Sequence, residues 1–210
     1  YPLFVKPARQ GTGMGISANS VVHNESQLRK QAGQLLEAYN EPVLVERFID
    51  GPDVTVGVVG NLVRPVARRI PDDDEAPRVQ RGLRFLPPLE IELGAYDEEE
   101  GGIYTNRAKV DLADKITYIC PARLAPSQIE ELNWLAAATF RITGCLDVAR
   151  VDFRLDAADG NRPYILEINP LPGLSPGISD LVIEAAAAEI SHAELVNMIL
   201  HEALERHGMS

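Results

Sequence analysis

Two carboxylates, an amide and an arginine alternate along one segment of the chain, LDVARVDFRLDAADGNRPYILEIN, which covers residues 146–169. The Asp159-Gly160 dipeptide near its centre predicts a β-hairpin, because this pair tolerates the positive φ angles of a tight turn. If the strands pair symmetrically about it, Asp152 lies opposite Glu167 and Arg150 lies opposite Asn169. Alternate side chains of a strand point to one face, so the four residues share a face of the predicted hairpin.

This face has the chemistry of a cation site. Two carboxylates directly opposite each other, about 5 Å apart, repel unless a cation lies between them. Oxygen ligands such as Asp152, Glu167 and the Asn169 amide select magnesium or manganese and leave coordination positions for phosphates. Arg150 suits an anionic group or a developing oxyanion. The alternative is a solvated sheet face on which arginines simply neutralise the carboxylates, and the hairpin alone does not choose between them.

A glycine-rich loop follows a strand at the other end of the sequence, in the segment KPARQGTGMG at residues 6–15. Gly11, Gly13 and Gly15 would let backbone amides approach a phosphate, and Thr12 offers a hydroxyl. The segment matches neither the P-loop nor the dinucleotide fingerprint. A plain flexible connection, with Lys6 as a surface charge, is therefore the alternative to a phosphate loop.

Residues 45–49, Val-Glu-Arg-Phe-Ile, read as the edge of a strand. A carboxylate at Glu46, a flat apolar side chain at Phe48 and free backbone groups form the kind of segment along which an adenine can lie. An ordinary edge strand with solvated charges is the alternative. Lys109 stands alone after an acidic stretch and, by itself, reads as a surface lysine.

The elements that must position these residues follow from local patterns. Capping boxes predict helices that begin near Asn24, Ser127 and Ser191, the first of them ending near Tyr39 and the second at Gly144. Apolar alternation predicts strands, including a hairpin that turns at Gly60-Asn61. Residues 71–108 are too polar and proline-rich for a core element, and we interpret them as a lid. The pattern predicts an α+β chain with much antiparallel sheet.

Composition excludes several classes of function. Thirty-one Asp and Glu against twenty Lys and Arg give a net charge of −11, which disfavours nucleic acid and anionic membranes as partners. No apolar run is long enough for a membrane helix, and the first residues lack the pattern of a signal peptide. Cys120 and Cys145 have no metal-binding spacing. We therefore expect a cytoplasmic protein that acts on small molecules.

Several segments together resemble the ATP-grasp domain of D-alanine–D-alanine ligases and related carboxylate-amine ligases. They are VKPARQGTGMGIS, VLVERFIDGPDVTVGVVGN, the lone Lys109 before YICPARL, GCLDVARVDFRLD and YILEINPLPGLSP. The resemblance covers essentially the whole chain and implies an ATP-grasp fold of two lobes with ATP between them. It implies that residues 1–46 are part of the small lobe, that 47–210 form the large C-terminal lobe, and that the family's N-terminal substrate domain is absent from this chain.

The resemblance also assigns roles to residues. It implies that Lys6 and Lys109 contact phosphates, that Gly11, Gly13 and Gly15 form a phosphate lid, and that Asp53 contacts the ribose. It implies that the adenine lies on Glu46, Arg47, Phe48 and Ile49. Two magnesium ions, or manganese, would be held by Asp152, Glu167 and Asn169. Arg150 and Thr12 would be the catalytic residues.

The activity that the resemblance implies is an ADP-forming, ATP-dependent ligation of a carboxylate to an amine through an acyl phosphate, as in cell-wall precursor synthesis. The family usually carries a tyrosine after the flap lysine, whereas this chain has Val110. A ligase for another amino acid or a dipeptide therefore stays open, as does a non-catalytic ATP-binding module. The first strand appears unshielded in the sequence and predicts an apolar surface for which a second copy, forming a homodimer, is one candidate cover.

Overall fold

The computed structural model describes residues 1–11, 13–62, 82–93, 103 and 116–209. Its chain divides into two compact units. The described residues within Tyr1–Pro52, Ile91–Thr117 and Leu155–Asn161 belong to unit 1, and those within Asp53–Glu90, Tyr118–Arg154 and Arg162–Ser210 belong to unit 2. Among the described residues, no helix is both long enough and apolar enough to cross a membrane.

Unit 1 contains a small antiparallel sheet and a helix. The sheet has the order β2-β1-β3, and the elements are β1 (Leu3–Pro7), β2 (Val21–Val22), α1 (Glu25–Tyr39) and β3 (Val43–Arg47). Helix α1 begins where predicted, because the Asn24 side chain accepts a hydrogen bond from the Gln27 amide. Val5, Val22 and Leu35 form the core between the sheet and this helix.

Strand β1 lies in the middle of its sheet and not at an exposed edge. It pairs with β2 on one side and with β3 on the other, and Val5 has no exposed surface. The expectation of an unshielded first strand is therefore wrong. The argument for a second copy of the chain over this strand loses its support.

Unit 2 contains most of a larger sheet with the order β7-β6-β4-β8-β9, in which β5 also pairs with β4. The strands are β4 (Asp53–Gly60), β5 (Leu83–Phe85), β6 (Leu89–Glu92), β7 (Thr117–Ile119), β8 (Val148–Asp156) and β9 (Arg162–Asn169). The helices are α2 (Pro126–Thr143), α3 (Asp180–Ala187) and α4 (His192–Arg206).

The two faces of this sheet carry different residues because β4 and β8 pair in a fixed register. Asp53 lies opposite Arg154, Thr55 opposite Asp152 and Gly57 opposite Arg150. The intervening residues are apolar and essentially inaccessible: Val54, Val56, Val58, Ala149, Val151 and Phe153. One face is therefore core, and the other carries the polar residues.

Helices α3 and α4 pack on the polar face, at its apolar end. There Val59 and Val148 of the sheet form a core with Leu181 and Ala185 of α3 and Leu195 of α4. Helix α4 begins at the predicted capping box, in which the Ser191 amide donates to the Glu194 carboxylate at 2.8 Å. Helix α3 is thereby placed beside the polar residues of β4 and β8.

Three local predictions are wrong. The N-cap of α2 is Ala125, two residues before the predicted cap Ser127. Pro126 occupies the first helical position, and the Ala125 amide donates to the Gln128 side chain. Two strands, β5 and β6, lie within the segment interpreted as a lid, and Leu86 and Leu89 are almost inaccessible. The alternation of apolar residues also predicts that Tyr164, Leu166 and Ile168 of β9 pack on the core, but Leu166 is 46% exposed on the last strand of the sheet.

The second strand predicted for the Gly60-Asn61 hairpin lies almost entirely outside the described residues. Strand β4 instead pairs with β5, with Gly60 opposite Leu83. At this point the backbones approach so closely that a Cβ on Gly60 would lie 2.2 Å from the Gly82 carbonyl oxygen. The glycine is required at this position by the neighbouring strand.

Candidate functional site

The Asp152 carboxylate is the centre of the polar face of unit 2. Its Oδ1 accepts hydrogen bonds from the Thr55 hydroxyl at 2.8 Å and from Arg150 Nε at 2.7 Å. Its Oδ2 accepts from Arg150 Nη2 at 2.7 Å and from the Asn169 amide at 3.0 Å. Four donors thus converge on one carboxylate, supplied by the neighbouring strands β4, β8 and β9.

Arg150 is shared between two carboxylates. Besides its two-point contact with Asp152, its Nη1 lies 3.0 Å from Oδ2 of Asp180, the first residue of α3. Burial opposes the charge on this guanidinium, but the hydrogen bonds with Asp152 and the charges of Asp152 and Asp180 outweigh it and raise the pKa of Arg150 above its ordinary value. Arg150 therefore keeps its positive charge.

Glu167 joins this group through the amide of Asn169, which lies 3.2 Å from its carboxylate. The structure thus brings together the three predicted metal ligands, Asp152, Glu167 and Asn169. Nitrogen and oxygen of a side-chain amide are assigned from the hydrogen-bond network, and turning the amide would present its oxygen to the same place. Two carboxylates and an amide oxygen form a donor set that suits a hard divalent cation.

Most of the polar face is shielded from solvent, although Glu167 on the last strand is exposed. The side chains of Arg150 and Asp152 are only 14% and 19% exposed, and Arg154 is buried. Arg154 pairs with Asp53, the predicted ribose contact, at 3.2 Å. The Arg150–Asp152 pair agrees with the alternative interpretation of the sequence, whereas the burial of Arg150, Asp152 and Arg154 does not.

Glu184 is a member of this region that sequence reasoning missed. It lies one turn after Asp180 on α3 and is wholly inaccessible. No side chain among the described residues donates to its carboxylate oxygens, and the Gly57 backbone amide acts on it as a donor. Burial, followed by the charge of Asp180, raises its pKa well above the ordinary value. The only signal in the sequence was a glutamate beside the alanine run at 185–188.

Unit 1 holds a second group of candidate residues on one face of its small sheet. Lys6 Nζ lies 2.7 Å from the Glu46 carboxylate and 5.8 Å from the centre of the Phe4 ring. The Phe4 and Phe48 rings stack with centroids 6.5 Å apart. A lysine, a carboxylate and a flat apolar surface are therefore adjacent, which is the combination predicted for a nucleotide.

The glycine loop is anchored at its start. Glu41 accepts hydrogen bonds from the Arg9 amide at 2.9 Å and from the Gln10 side chain at 3.0 Å. Gly15 has φ of +77° and packs so closely on Pro7 that a Cβ would lie 2.6 Å from its ring. By contrast, a Cβ on Gly11 would meet nothing within 4 Å, so close packing does not require a glycine at this position.

The remaining predicted residues have other surroundings. Arg47 pairs with the buried Asp156 carboxylate at 3.0 Å, and Ile49 belongs to the core. Gly13 has φ of +73°, a value that favours glycine. Thr12 and Lys109, predicted as a catalytic residue and a phosphate contact, lie outside the described residues.

Comparison of the sequence with known proteins identifies its family. A family model described as the C-terminus of D-ala D-ala ligase matches residues 1–74 and 90–201. A D-alanine–D-alanine ligase of Pelotomaculum thermopropionicum is 36% identical over 211 residues, which are 99% of this chain and 55% of that protein. An uncharacterised protein, y4sG, of Sinorhizobium fredii is 33% identical over 207 residues, 99% of this chain and 53% of that protein. The chain spans about half the length of these relatives.

Solved structures show the same fold. The D-alanine–D-alanine ligase from Bacillus anthracis complexed with ATP matches with a TM-score of 0.67 and 22% identity, over 98% of this chain and 53% of that one. The VanG D-Ala:D-Ser ligase from Enterococcus faecalis matches with a TM-score of 0.66 and 21% identity, over 96% of this chain and 49% of that one. The predicted α+β, ATP-grasp architecture is confirmed.

Proposed function

Because the chain belongs to the D-alanine–D-alanine ligase family, we propose that it is the part of an ATP-dependent ligase that binds ATP and magnesium. The observation that carries this proposal is the group around Asp152. A carboxylate, an amide and a second carboxylate meet there, and a buried arginine lies beside them. This arrangement combines ligands for a divalent cation with a permanent positive charge for an anion.

The reaction we propose joins a carboxylate to an amine in two steps. The carboxylate oxygen first attacks the terminal phosphorus of ATP, so that ADP leaves and an acyl phosphate forms. The amine nitrogen then attacks the acyl carbon, the C–O bond to phosphate breaks, and the nitrogen loses a proton as inorganic phosphate departs. The products are ADP, phosphate and an amide.

Each group of residues has a part in this scheme. Asp152, Glu167 and Asn169 would hold Mg²⁺, or Mn²⁺, which neutralises charge on the phosphate oxygens during transfer. Arg150 places a permanent positive charge where the acyl phosphate and the developing oxyanion need it. In unit 1, Lys6 would exchange Glu46 for a phosphate, and Phe48 offers its ring to the adenine. From the family resemblance we add Asp53 as a ribose contact, Lys109 as a phosphate contact and Thr12 as a catalytic residue.

The identity of the two substrates is a separate part of the proposal. We propose small amino acids, processed in the cytoplasm, with D-alanine as the first candidate because of the family. Val110 stands where the resemblance implies a tyrosine, so a different amino acid or a dipeptide is the second candidate. In an assay with ATP and amino-acid mixtures, ADP and phosphate must appear together with an amide, and AMP would contradict the scheme.

Thermal denaturation tests the binding proposal directly. A ligand present at 100 times its Kd stabilises the native state by about 2.7 kcal/mol, and each kcal/mol raises the Tm of a chain this size by about 2–4 °C. We therefore expect ATP and Mg²⁺ together to raise the Tm by several degrees, more than the sum of their separate effects.

The matched controls are two Asp→Asn variants. Asp152→Asn should abolish the extra rise given by ATP with Mg²⁺, because it removes the central ligand. Asp159→Asn, in the exposed turn of the same hairpin, should keep it. An equal rise in all three proteins would contradict the assignment of Asp152.

A further inference from the structure

Asp152 has no acceptor capacity left for a cation in the observed arrangement. A carboxylate offers about four lone-pair sites, and Asp152 receives four donors: one from Thr55, two from Arg150 and one from Asn169. Ligation of a divalent ion therefore requires that at least one donor leave. The candidates are Thr55, Arg150 and Asn169.

Two donors have a reason to leave Asp152. Asn169 stops donating when its amide turns to present its oxygen to a cation, and Arg150 is the charged donor. It occupies both oxygens of Asp152, at 2.7 Å each, and its positive charge repels an incoming cation, whereas Thr55 and Asn169 are neutral. Arg150 also has a second carboxylate within reach, since Asp180 already contacts its Nη1 at 3.0 Å. Movement away from Asp152 does not leave this charge unpaired.

Helix α3 provides a second acceptor beside Arg150. Gly57 lies opposite Arg150 in the β4–β8 register, and a Cβ on Gly57 would lie 2.2 Å from Glu184 Oε2. The Glu184 carboxyl therefore occupies the space that a side chain would fill next to Arg150. Among the described residues no side chain donates to either of its oxygens, although the Gly57 backbone amide acts on it as a donor. A carboxyl group has about four acceptor sites when ionised and keeps acceptor capacity when protonated, so it can also accept from Arg150.

We propose that Arg150 moves from Asp152 to Asp180 and Glu184 when Asp152 takes up a divalent cation. Asp180 and Glu184 are then positioning residues, and α3 is the element that holds the arginine in the working state of the site. The inference rests on the proposed function, because it takes Asp152 as a metal ligand. It goes further in assigning two residues of α3 to the arginine.

Binding of Mn²⁺ alone, followed by the free-ion EPR signal, tests this movement in the wild type, Asp180→Asn, Arg150→Gln and the double variant. If Asp180 receives Arg150, its loss leaves the arginine on Asp152 and weakens Mn²⁺ binding about fivefold or more, the usual lower range of coupling between sites. In the Arg150→Gln background there is no arginine to receive, so the same substitution should change the affinity less than about twofold.

The double variant distinguishes movement of Arg150 from a direct effect of the Asp180 charge on the cation. If Asp180→Asn weakens binding equally in both backgrounds, Asp180 acts only through its charge at a distance, and the inference is overturned. If the wild type binds no Mn²⁺ while Asp152 is intact, the proposed metal site itself is wrong and the inference falls with it. The two failures are therefore distinguishable.

Glu184 gives a second, independent pair of variants. Glu184→Gln keeps an acceptor oxygen of the same shape and should bind Mn²⁺ within about twofold of the wild type. Glu184→Leu should bind Mn²⁺ more weakly than the wild type, and this weakening should disappear in the Arg150→Gln background. Equal affinities for the two variants would contradict the role of Glu184. This pair also carries the test if Asp180→Asn fails to fold, which a thermal denaturation curve of each variant checks.

Discussion

Glu184 is the residue whose ionisation the fold opposes most directly. Its carboxyl group is inaccessible to water, and because moving a charge out of water is unfavourable, burial favours the protonated form of this group. Burial comes first among the causes that raise its pKa, followed by the charge of Asp180, with Arg150 acting in the opposite direction. The sheet tolerates this acid because Gly57 leaves room for it.

The first prediction concerns the pH dependence of stability. A folded-state pKa above the ordinary 4.5 means that the native state binds more protons, so the contribution of Glu184 is full below pH 4.5 and is lost as pH rises towards the folded-state pKa. In that window the loss is at most about 1.4 kcal/mol per pH unit. Urea unfolding between pH 5 and 8 should show a steeper decline for the wild type than for Glu184→Gln.

The control for this prediction is Glu189→Gln, which changes an exposed glutamate just beyond the same helix. It should keep the slope of the wild type. If wild type and Glu184→Gln decline in parallel, Glu184 is ionised in the native state. The side-chain environment described above would then be wrong.

The grouping of site residues could be predicted only where alternation along a strand determined it. Asp152, Glu167 and Asn169 were predicted to share a face, and hydrogen bonds through Asn169 place them together. Asp180 and Glu184 could not be found in this way. A glutamate four residues after an aspartate on a short helix is ordinarily on the solvent side, and only the packing of α3 on β4 places it inside.

At the scale of elements, two serines with the same local motif differ in whether they cap a helix. Ser191 Oγ donates to the Glu194 carboxylate at 2.6 Å and accepts from the Glu194 amide at 3.3 Å. Ser127 lies inside α2, after Pro126. The sequence contains the motif Ser-x-x-Glu at both places. Helix α2 begins before its serine because proline favours the first position of a helix, and Pro126 occupies that position.

The second prediction compares these two serines. Ser191→Ala removes a working cap and should lower the free energy of unfolding by about 1 kcal/mol. Ser127→Ala replaces a non-capping serine with a better helix former and should leave stability unchanged or raise it by a few tenths of a kcal/mol. Urea denaturation of both variants measures the difference, and equal losses would mean that Ser127 also caps.

The sheet of unit 2 depends on a glycine that no turn requires. A Cβ on Gly57 would lie 2.2 Å from Glu184 Oε2, 2.5 Å from Leu181 Cδ1 and 2.9 Å from Leu86 Cδ1. Strands normally disfavour glycine, so its presence in the middle of β4 reflects the approach of α3. The sequence showed the glycine but not the helix that needs it.

The third prediction follows from this close packing. Gly57→Ala should destabilise the chain by about 1–3 kcal/mol, the range for overpacking a well-filled core. Gly33→Ala is the matched control, because Gly33 lies within α1 and a Cβ there meets nothing within 4 Å. That variant should be more stable by about 0.5–1 kcal/mol. If Gly57→Ala were neutral, α3 would have to pack less closely on β4 than described.

For the whole molecule, local patterns predicted the kinds of element and much of the core, whereas the contacts that decide the rest are distant in sequence. The segment 71–108 appeared to be a lid because of its acidic and proline clusters, yet Leu86 and Leu89 within it are core residues. Their burial depends on the pairing of β5 and on the order of the large sheet. Composition averages over such short apolar stretches and cannot detect them.

The pH dependence of unfolding for the whole chain combines opposing contributions. Glu184 destabilises the native state as pH rises, whereas Glu90 does so as pH falls. Glu90 is 7% exposed and accepts hydrogen bonds from the backbone and guanidinium of Arg123, Nη2 being 2.5 Å away. These bonds, which outweigh the opposing effect of burial, lower the pKa of Glu90.

The fourth prediction tests the acid side of this profile. Because the folded-state pKa of Glu90 lies below the ordinary 4.5, its contribution is full above pH 4.5 and is lost as pH falls through the folded-state value. Glu90→Gln should therefore lower the free energy of unfolding by about 1 kcal/mol at pH 7, a modest figure because Arg123 is largely exposed and solvent screens the pair. The difference from the wild type should shrink towards pH 3. The control is Glu92→Gln, which changes an exposed residue of the same strand and should show no comparable trend with pH. If the free energy of unfolding of Glu90→Gln differed from that of the wild type by the same amount at all pH values, the charge of Glu90 would not be what stabilises the fold.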